Sequence, residues 1–158
     1  MAQHPRRRRG GVVTQITITI PNLDAVQKAI TQYGARAEAE ISRALSATGT
    51  SIVNGVKKQM RTSKSGRRYK RGKTGRDHIA SAPYEAPAVD TGILINRSIY
   101  ETRINDLHFV VGSNVKYSAF LEFGTRNIKP RPSWTLEVFA HRDIMARLVE
   151  AAIRRAAQ

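Results

Sequence analysis

The hydrophobic positions in the first half of the chain follow two different periods. In residues 12–20 isoleucines alternate with threonines, which predicts a β-strand with one apolar face. From Leu23 to Met60 the apolar residues recur every three or four positions, and this spacing predicts one long amphipathic helix. Glycines weaken helices, so we expect a bend near Gly49.

The apolar pattern returns in the second half with shorter elements. The predicted order is a turn at 89–92, strands at 93–104 and 107–112 joined by Asn105 and Asp106, a short aromatic-rich helix at 115–123, and a C-terminal helix at 134–157. We expect Tyr117, Phe120 and Phe123 to lie on one face of the short helix, in the core. The predicted fold is α+β: a long N-terminal helix packed on a small antiparallel sheet, with the two later helices.

Between these halves lies a strongly basic segment. Residues 57–76 contain ten Lys or Arg and no acid, in a chain of net charge +15. With few apolar residues to bury, residues 61–86 are predicted to form a long mobile loop within a single domain at 12–158. A second run, Arg6–Arg9, lies in a predicted flexible arm at 1–11. The loop residues predicted to face DNA or an acidic partner are Arg61, Lys64, Arg67, Arg68, Lys70, Arg71, Lys73 and Arg76.

Concentrated cations indicate a polyanionic neighbour, since neutralising phosphates releases counterions whatever the base sequence. Tyr69 is the one aromatic residue among them, so stacking on single strands is poorly served. No helix-turn-helix or zinc-finger pattern offers base recognition. Two interpretations stay open: loose contact with duplex backbone, or a solvated loop kept for solubility.

The sequence contains no arrangement of residues that is typical of a catalytic or cofactor-binding site. There is no cysteine, the four histidines are scattered, and the acids are isolated. Gly66 and Gly72 precede Lys73-Thr74, but five residues separate these glycines where a phosphate-binding loop has four. We therefore expect no enzyme, no cofactor and no metal. No signal sequence or membrane span is predicted.

Two segments resemble signatures of a known family. The first motif, residues 86–99, contains Asp90-Thr91-Gly92, Leu94 and Ser98-Ile99. The second, residues 117–134, contains Tyr117, Glu122, Gly124-Thr125 and Arg131-Pro132. They resemble the small neck or tail-completion (head–tail joining) proteins of lambda-like siphophages. The departures are an extra residue between Pro87 and Val89, Trp134 where Phe is usual, and the arginine arm.

The resemblance implies a structural virion protein that assembles in the host cytoplasm. It implies a homo-oligomeric ring at the head–tail junction, six-fold or alternatively twelve-fold. The stopper and the tail terminator or tail tube would be its neighbours, duplex DNA would pass through its lumen, and no membrane would be involved. We expect Glu122, flanked by Leu121 and Phe123, to pair with an arginine such as Arg126 or Arg131, either within the subunit or across the subunit boundary. The rival is a stand-alone, non-specific nucleic-acid-binding protein; a nuclease would need clustered acids or histidines.

Overall fold

The computed structural model describes residues 14–17, 22–72, 75–97, 99–105 and 107–157. The predicted arm at 1–11 lies outside these residues, as do Lys73 and Ser98. The elements in chain order are β1 (Thr14–Thr17), α1 (Leu23–Tyr33), α2 (Ala35–Arg61), β2 (Arg68–Arg71), β3 (Arg76–Ile79), α3 (Ile93–Arg97), β4 (Ile99–Asn105), β5 (His108–Ser113), α4 (Lys116–Phe123) and α5 (Trp134–Ala156).

The predicted long helix is two helices, and the position predicted for its bend is wrong. α1 ends at Gly34, whose φ of 70° and ψ of −157° suit glycine far better than any other residue. Gly49 lies inside the continuous helix α2 and is buried there. Gly55 allows a close approach of α5, because an added Cβ would overlap the Glu137 side chain.

The core lies along one face of α2. Its buried residues include Ile41, Leu45, Ile52 and Val56, at the spacing that the sequence predicts. To the same cluster α5 contributes Trp134, Met145, Val149 and Ala152, and β5 contributes Phe109 and Val111. Burial of these apolar side chains is the main driving force for the fold.

The sheet that supports α2 has three antiparallel strands in the order β1-β5-β4. The β4–β5 hairpin turns between Asn105 and His108, which confirms the predicted turn, and an irregularity in register lies between Arg103 and Asn105. β5 is the central strand, and its residues 109–113 are all buried. The predicted α+β class is confirmed. No helix in the described ranges is long and apolar enough to cross a membrane.

The start of the predicted first strand of this hairpin is wrong. Residues 93–97 form the short helix α3, and only from Ile99 does the chain run as a strand. Gly92, with φ of 78°, turns the chain and its carbonyl accepts the Asn96 N–H at 2.9 Å. The turn therefore begins a helix before the sheet is reached.

Candidate functional site: a basic hairpin and the turns that hold it

The segment predicted as an unpacked loop contains an antiparallel hairpin, so that expectation is wrong. β2 and β3 pair in a register that places Tyr69 opposite His78 and Lys70 opposite Asp77. The rings of Tyr69 and His78 meet edge to face, with centroids 5.2 Å apart. Such a cross-strand pair stabilises a hairpin with little apolar burial.

Most of the described hairpin cations are exposed. Arg61, Arg67, Arg68 and Lys70 are exposed, Lys64 and Arg71 are partly buried, Arg76 begins β3, and Lys73 lies outside the described residues. Arg68 Nη1 is 3.6 Å from Asp77 Oδ2, and exposed pairs of this kind contribute little. Within the described ranges, no carboxylate lies at ion-pair distance from Arg67 or Lys70. These side chains are available to an external anion.

The base of the hairpin is closed by backbone contacts. The Gly66 N–H donates to the Ala80 carbonyl at 3.0 Å, and the Ala80 N–H donates to the Arg67 carbonyl at 3.0 Å. A Cβ at Gly66 would come within 2.4 Å of the Ala80 oxygen. Glycine is therefore required at this position for the two chain segments to approach.

Glu85 holds the two ends of the hairpin segment together. Its Oε2 accepts the Ala82 N–H at 2.7 Å, the Ser65 N–H at 3.2 Å and the Ser65 hydroxyl at 3.5 Å. Hydrogen bonds from the Ala82 and then the Ser65 backbone lower the pKa of this carboxyl below its usual value. Nothing in the sequence pattern singled out Glu85, although it is the one acid between Asp77 and Asp90.

Lys64, one of the predicted anion-facing cations, points back to the protein. Its Nζ donates to the Gln59 carbonyl at 2.7 Å and lies 3.4 Å from the Thr62 hydroxyl, at the end of α2. Burial lowers the pKa of the Lys64 ammonium, while the nearby Glu85 carboxylate acts in the opposite direction. Lys64 therefore stabilises the helix end and is a weaker candidate for anion binding than its neighbours.

We predict that protonating Glu85 loosens the hairpin base. The Glu85 carboxyl has a lower pKa in the folded chain than its unfolded value of 4.5. Its ionised form therefore stabilises the fold fully above pH 4.5, and this stabilisation is lost as the pH falls through the lower folded pKa. NMR should show the amide shifts of Ser65 and Ala82 titrating below 4.5, with hydrogen-exchange protection of Gly66 and Ala80 falling in parallel. Glu85→Gln should lack this protection even at pH 7, whereas Glu150→Gln, on the exposed side of α5, should keep it. Equal protection in all three proteins would contradict the assignment.

The first motif anchors the hairpin from the side. Arg71 Nε lies 3.0 Å from Asp90 Oδ1, and Arg71 Nη1 donates to the Asp90 carbonyl at 3.2 Å. The Thr91 hydroxyl accepts the Ile93 N–H at 3.4 Å, which helps to start α3. Leu94 packs against the core. Asp90 therefore fixes a hairpin arginine, and Ser98 lies outside the described residues.

The second motif anchors the other side of the hairpin segment. The Arg131 N–H donates to the Leu121 carbonyl at 2.6 Å, and its Nε donates to the Ser81 carbonyl at 3.2 Å. Half-buried Pro132 follows and leads the chain into α5. The Tyr84 N–H donates to the Pro130 carbonyl at 2.7 Å. The link between α4 and α5 is thus tied to residues 81–84.

A tight turn connects α4 to that link. Gly124 has φ of 76° and ψ of −178°, and a Cβ there would lie 2.7 Å from the Ile128 carbonyl oxygen. The Thr125 N–H donates to the same oxygen at 2.8 Å, and the Thr125 hydroxyl accepts the Ile128 N–H at 3.1 Å. Gly124 and Thr125 are therefore turn residues.

The prediction that Glu122 pairs with an arginine of its own subunit is wrong. Glu122 is only 4% exposed, and its carboxylate accepts the backbone N–H groups of Ser133, Trp134 and Thr135 at 2.9, 3.2 and 2.8 Å. These groups begin α5, where a helix carries unpaired donors and a partial positive charge. Glu122 therefore caps α5, and Arg131 instead bonds to carbonyl oxygens.

The expectation that the aromatic residues of α4 form core is also wrong. Tyr117, Phe120 and Phe123 are 44%, 55% and 67% exposed. The buried residues of this helix are Ser118 and Glu122. The helix is placed by its polar contacts, and its aromatic face is left on the surface.

The hairpin and both motifs surround one cleft of about 310 Å³. Its lining includes Tyr69 and His78 from the hairpin, Asp90, Thr91, Gly92 and Leu94 from the first motif, and Tyr117, Leu121 and Arg131 from the second. Among the described residues, no group of three His, Cys, Asp or Glu side chains is placed to hold a metal ion. What the arrangement offers is an exposed cationic hairpin on a fixed base.

Comparison with known proteins found a matching family. The model of the HK97-gp10-like family, described as "Bacteriophage HK97-gp10, putative tail-component", matches residues 24–124. The match spans nearly all of α1, then α2, the hairpin, the first motif and the first part of the second, residues 117–124. No curated protein and no solved structure matches the chain. Because the match covers more than half of the chain, this protein belongs to the HK97-gp10-like family of phage tail components and is a virion-associated structural protein.

Proposed function

We propose that this chain is a subunit of the phage head-to-tail connector, where it completes the neck or tail. Several copies form a ring around the DNA path, six-fold to match a tail tube or twelve-fold, between the stopper and the tail terminator. The hairpin cations line the lumen of the ring or face an acidic ring beside it. Family membership supports the structural role, and the basic hairpin carries the finer proposal.

The carrying observation is the exposure of Arg67, Arg68 and Lys70 on a hairpin whose base is pinned. Glu85 closes that base, and Asp90 fixes its side through Arg71. The cations thus project from a defined position. A loop kept only for solubility would not need such a fixed base, so the arrangement supports a binding role. In a ring, the same hairpin recurs once in every subunit, so the positive charge is concentrated around one axis.

The chemistry suits passage of DNA better than capture. Phosphate contacts carry no sequence information, and their strength falls with salt because they depend on counterion release. Flexible Arg and Lys side chains can exchange one phosphate for the next as the duplex moves. Weak contacts at any register would guide DNA without halting it.

The test is a phage whose gene for this protein carries Arg67→Gln, Arg68→Gln and Lys70→Gln together. We expect loss of infectious titre, with electron microscopy showing either unjoined heads and tails or joined particles that have lost or retained DNA abnormally. The matched control, Lys28→Gln with Arg36→Gln and Arg154→Gln, removes the same charge elsewhere on the described surface. Normal titre with the hairpin variant would overturn the proposed role of the hairpin.

The stand-alone nucleic-acid-binding alternative is tested with the purified chain and duplex DNA by fluorescence anisotropy at several salt concentrations. The connector role predicts weak binding by monomers and stronger binding by rings. The logarithm of the binding constant falls as the logarithm of the salt concentration rises. The three hairpin substitutions should make this fall less steep, reducing the magnitude of the slope by up to about 3 per subunit. Tight binding by the monomer, with normal phage assembly by the hairpin variant, would favour the alternative.

A further inference from the structure

The helix α4 is amphipathic in the reverse of the usual sense. Its buried residues, Ser118 and Glu122, are polar, whereas Phe120 and Phe123 are 55% and 67% exposed. With Phe139 of α5, three of the four phenylalanines in the chain are more than half exposed. Single exposed apolar residues are common, but a helix that buries polar side chains and exposes aromatic ones marks a contact with another molecule.

Three exposed residues of α4 lie on one stripe. Side chains advance about 100° per residue along a helix, so Lys116, Phe120 and Phe123 fall within a sector of about 60°. Lys116 is exposed, as the two phenylalanines are. Ser118 and Glu122 point to the other side of the helix, towards the protein. We call Lys116, Phe120 and Phe123 the α4 stripe.

The α4 stripe is held in place by contacts at the end of its helix. Glu122 binds the backbone at the start of α5, and the Arg131 N–H donates to the Leu121 carbonyl at 2.6 Å. Residues 124–130 therefore form a loop that leaves α4 at Phe123 and closes on its last turn. A surface that is already ordered loses little conformational freedom when it binds a partner.

Cations lie in and beside the α4 stripe without an exposed acid among them. Residues 107–136 contain four Lys or Arg and a single acid, the buried Glu122. Three of these cations are exposed: Lys116 in the stripe, and Arg126 and Lys129 in the loop that closes on α4. Within the described ranges, no carboxylate lies at ion-pair distance from these three side chains. The stripe thus combines apolar surface with positive charge that is not neutralised.

This combination fits an acidic protein segment that carries apolar side chains. A whole phenylalanine buries about 150–250 Å², so Phe120 and Phe123 together offer about 200–300 Å² of exposed surface. That area suits the apolar centre of an interface that buries about 800 Å² per partner. Phenylalanine and arginine are enriched at such contacts. Carboxylates of the partner would complement the cations around the stripe.

A second copy of the chain fits this surface poorly because most of its acids are not free. Each copy carries a net charge of +15. Six of the twelve acids already bind groups of their own chain: Glu40, Asp77, Glu85, Asp90, Glu122 and Glu137. Two copies would therefore repel each other across the stripe, and the charge favours a different, acidic protein.

Lipid and nucleic acid also fit the α4 stripe less well. A helix that lies on a membrane surface exposes a charged face opposite its apolar face, whereas the opposite face of α4 is buried against the rest of the chain. Duplex DNA presents phosphates and base edges, which leave most of a phenylalanine ring without an apolar partner.

We propose that the α4 stripe docks an acidic segment of a different virion protein. The two phenylalanines pack between apolar side chains of that segment, and Lys116, Arg126 and Lys129 bind its carboxylates. The contact rests on the chain being a virion-associated structural protein. It requires neither the ring nor the DNA-facing hairpin of the proposed function.

The test is photo-crosslinking in assembled phage, with the photoreactive analogue p-benzoylphenylalanine in place of Phe123. The analogue keeps the aromatic bulk, and mass spectrometry identifies the peptide to which it is joined. We expect a peptide of another virion protein in which Asp and Glu outnumber Lys and Arg. Crosslinks confined to copies of this chain, to nucleic acid or to lipid, a peptide without an excess of acids, or no crosslink would each overturn the inference.

Charge reversal tests the cations of the same contact. Lys116→Glu with Arg126→Glu and Lys129→Glu should abolish the crosslink from position 123, while circular dichroism and the melting temperature stay unchanged. The matched control, Lys28→Glu with Arg36→Glu and Arg154→Glu, reverses the same charge at other exposed positions and should keep the crosslink. A crosslink that survives the first set of changes would show that the partner is not held by its acids.

The phenylalanines are tested by infectious titre. Phe120→Ser with Phe123→Ser should fold normally and lose titre, whereas Leu23→Ser, an exposed apolar change on α1, should keep it. Normal titre of the folded double variant would overturn the inference. The crosslink should persist in the phage that lacks the hairpin cations, so normal titre of that phage would remove the DNA role and leave this contact intact. Loss of the contact alone would leave the role of the hairpin intact.

Discussion

Replacing Glu122 by glutamine should lower the free energy of unfolding by about 2–4 kcal/mol, although the two side chains have nearly the same shape. The carboxylate serves three backbone donors with both oxygens. A glutamine has one acceptor oxygen, and its amide hydrogens would face N–H groups that need an acceptor. The negative charge at the start of α5 is lost as well.

Thermal or urea unfolding measures this effect, and for a chain of this length the melting temperature should fall by about 10 °C. Glu150→Gln makes the same chemical change at an exposed position of α5 and should shift stability by no more than about 0.5 kcal/mol. Equal stabilities for the two variants would show that the Glu122 carboxylate does not cap α5.

Gly124→Ala should be at least as damaging, and Gly34→Ala is its matched control. Both glycines have nearly the same backbone, with φ of 76° and 70° and ψ of −178° and −157°. Alanine in that region costs about 1–3 kcal/mol at either site. Only at Gly124 would the new Cβ also meet backbone, 2.7 Å from the Ile128 oxygen, whereas at Gly34 nothing lies within 4 Å. Overlap of this kind adds about 1–3 kcal/mol.

The difference between the two alanine variants therefore isolates the overlap from the conformational cost. Urea unfolding of both proteins, with equal slopes against denaturant, gives that difference directly. If Gly34→Ala proves as destabilising as Gly124→Ala, the turn after α4 is less rigid than its hydrogen bonds indicate.

The parts of the fold that sequence predicted well are those governed by apolar burial. Ile41, Ile52 and Val56 recur at helical spacing because one side of α2 is buried along its length. The position of the helix break was missed because a glycine can either continue a helix or end it, and the sequence alone does not show which. Gly49 is buried inside α2, whereas Gly34 occupies a conformation closed to other residues.

The parts that sequence missed are governed by polar contacts between distant residues. The basic hairpin has almost no apolar residues, and its base depends on Glu85, twenty residues from Ser65. The aromatic residues of α4 resemble core by composition, but the Glu122 carboxylate turns inward and leaves Phe120 and Phe123 outside. Periodicity in one chain does not reveal which face a polar contact selects.

The cap formed by Glu122 also has a consequence for genetics. Because this motif residue binds backbone of its own chain, alleles of Glu122 should behave as temperature-sensitive folding defects. Second-site suppressors of such alleles would arise within the same gene, as general stabilising changes. Suppressors of alleles in Phe123 or Phe139 would instead map to surfaces that meet these side chains. The distribution of suppressors thus separates residues that build the subunit from residues that join it to others.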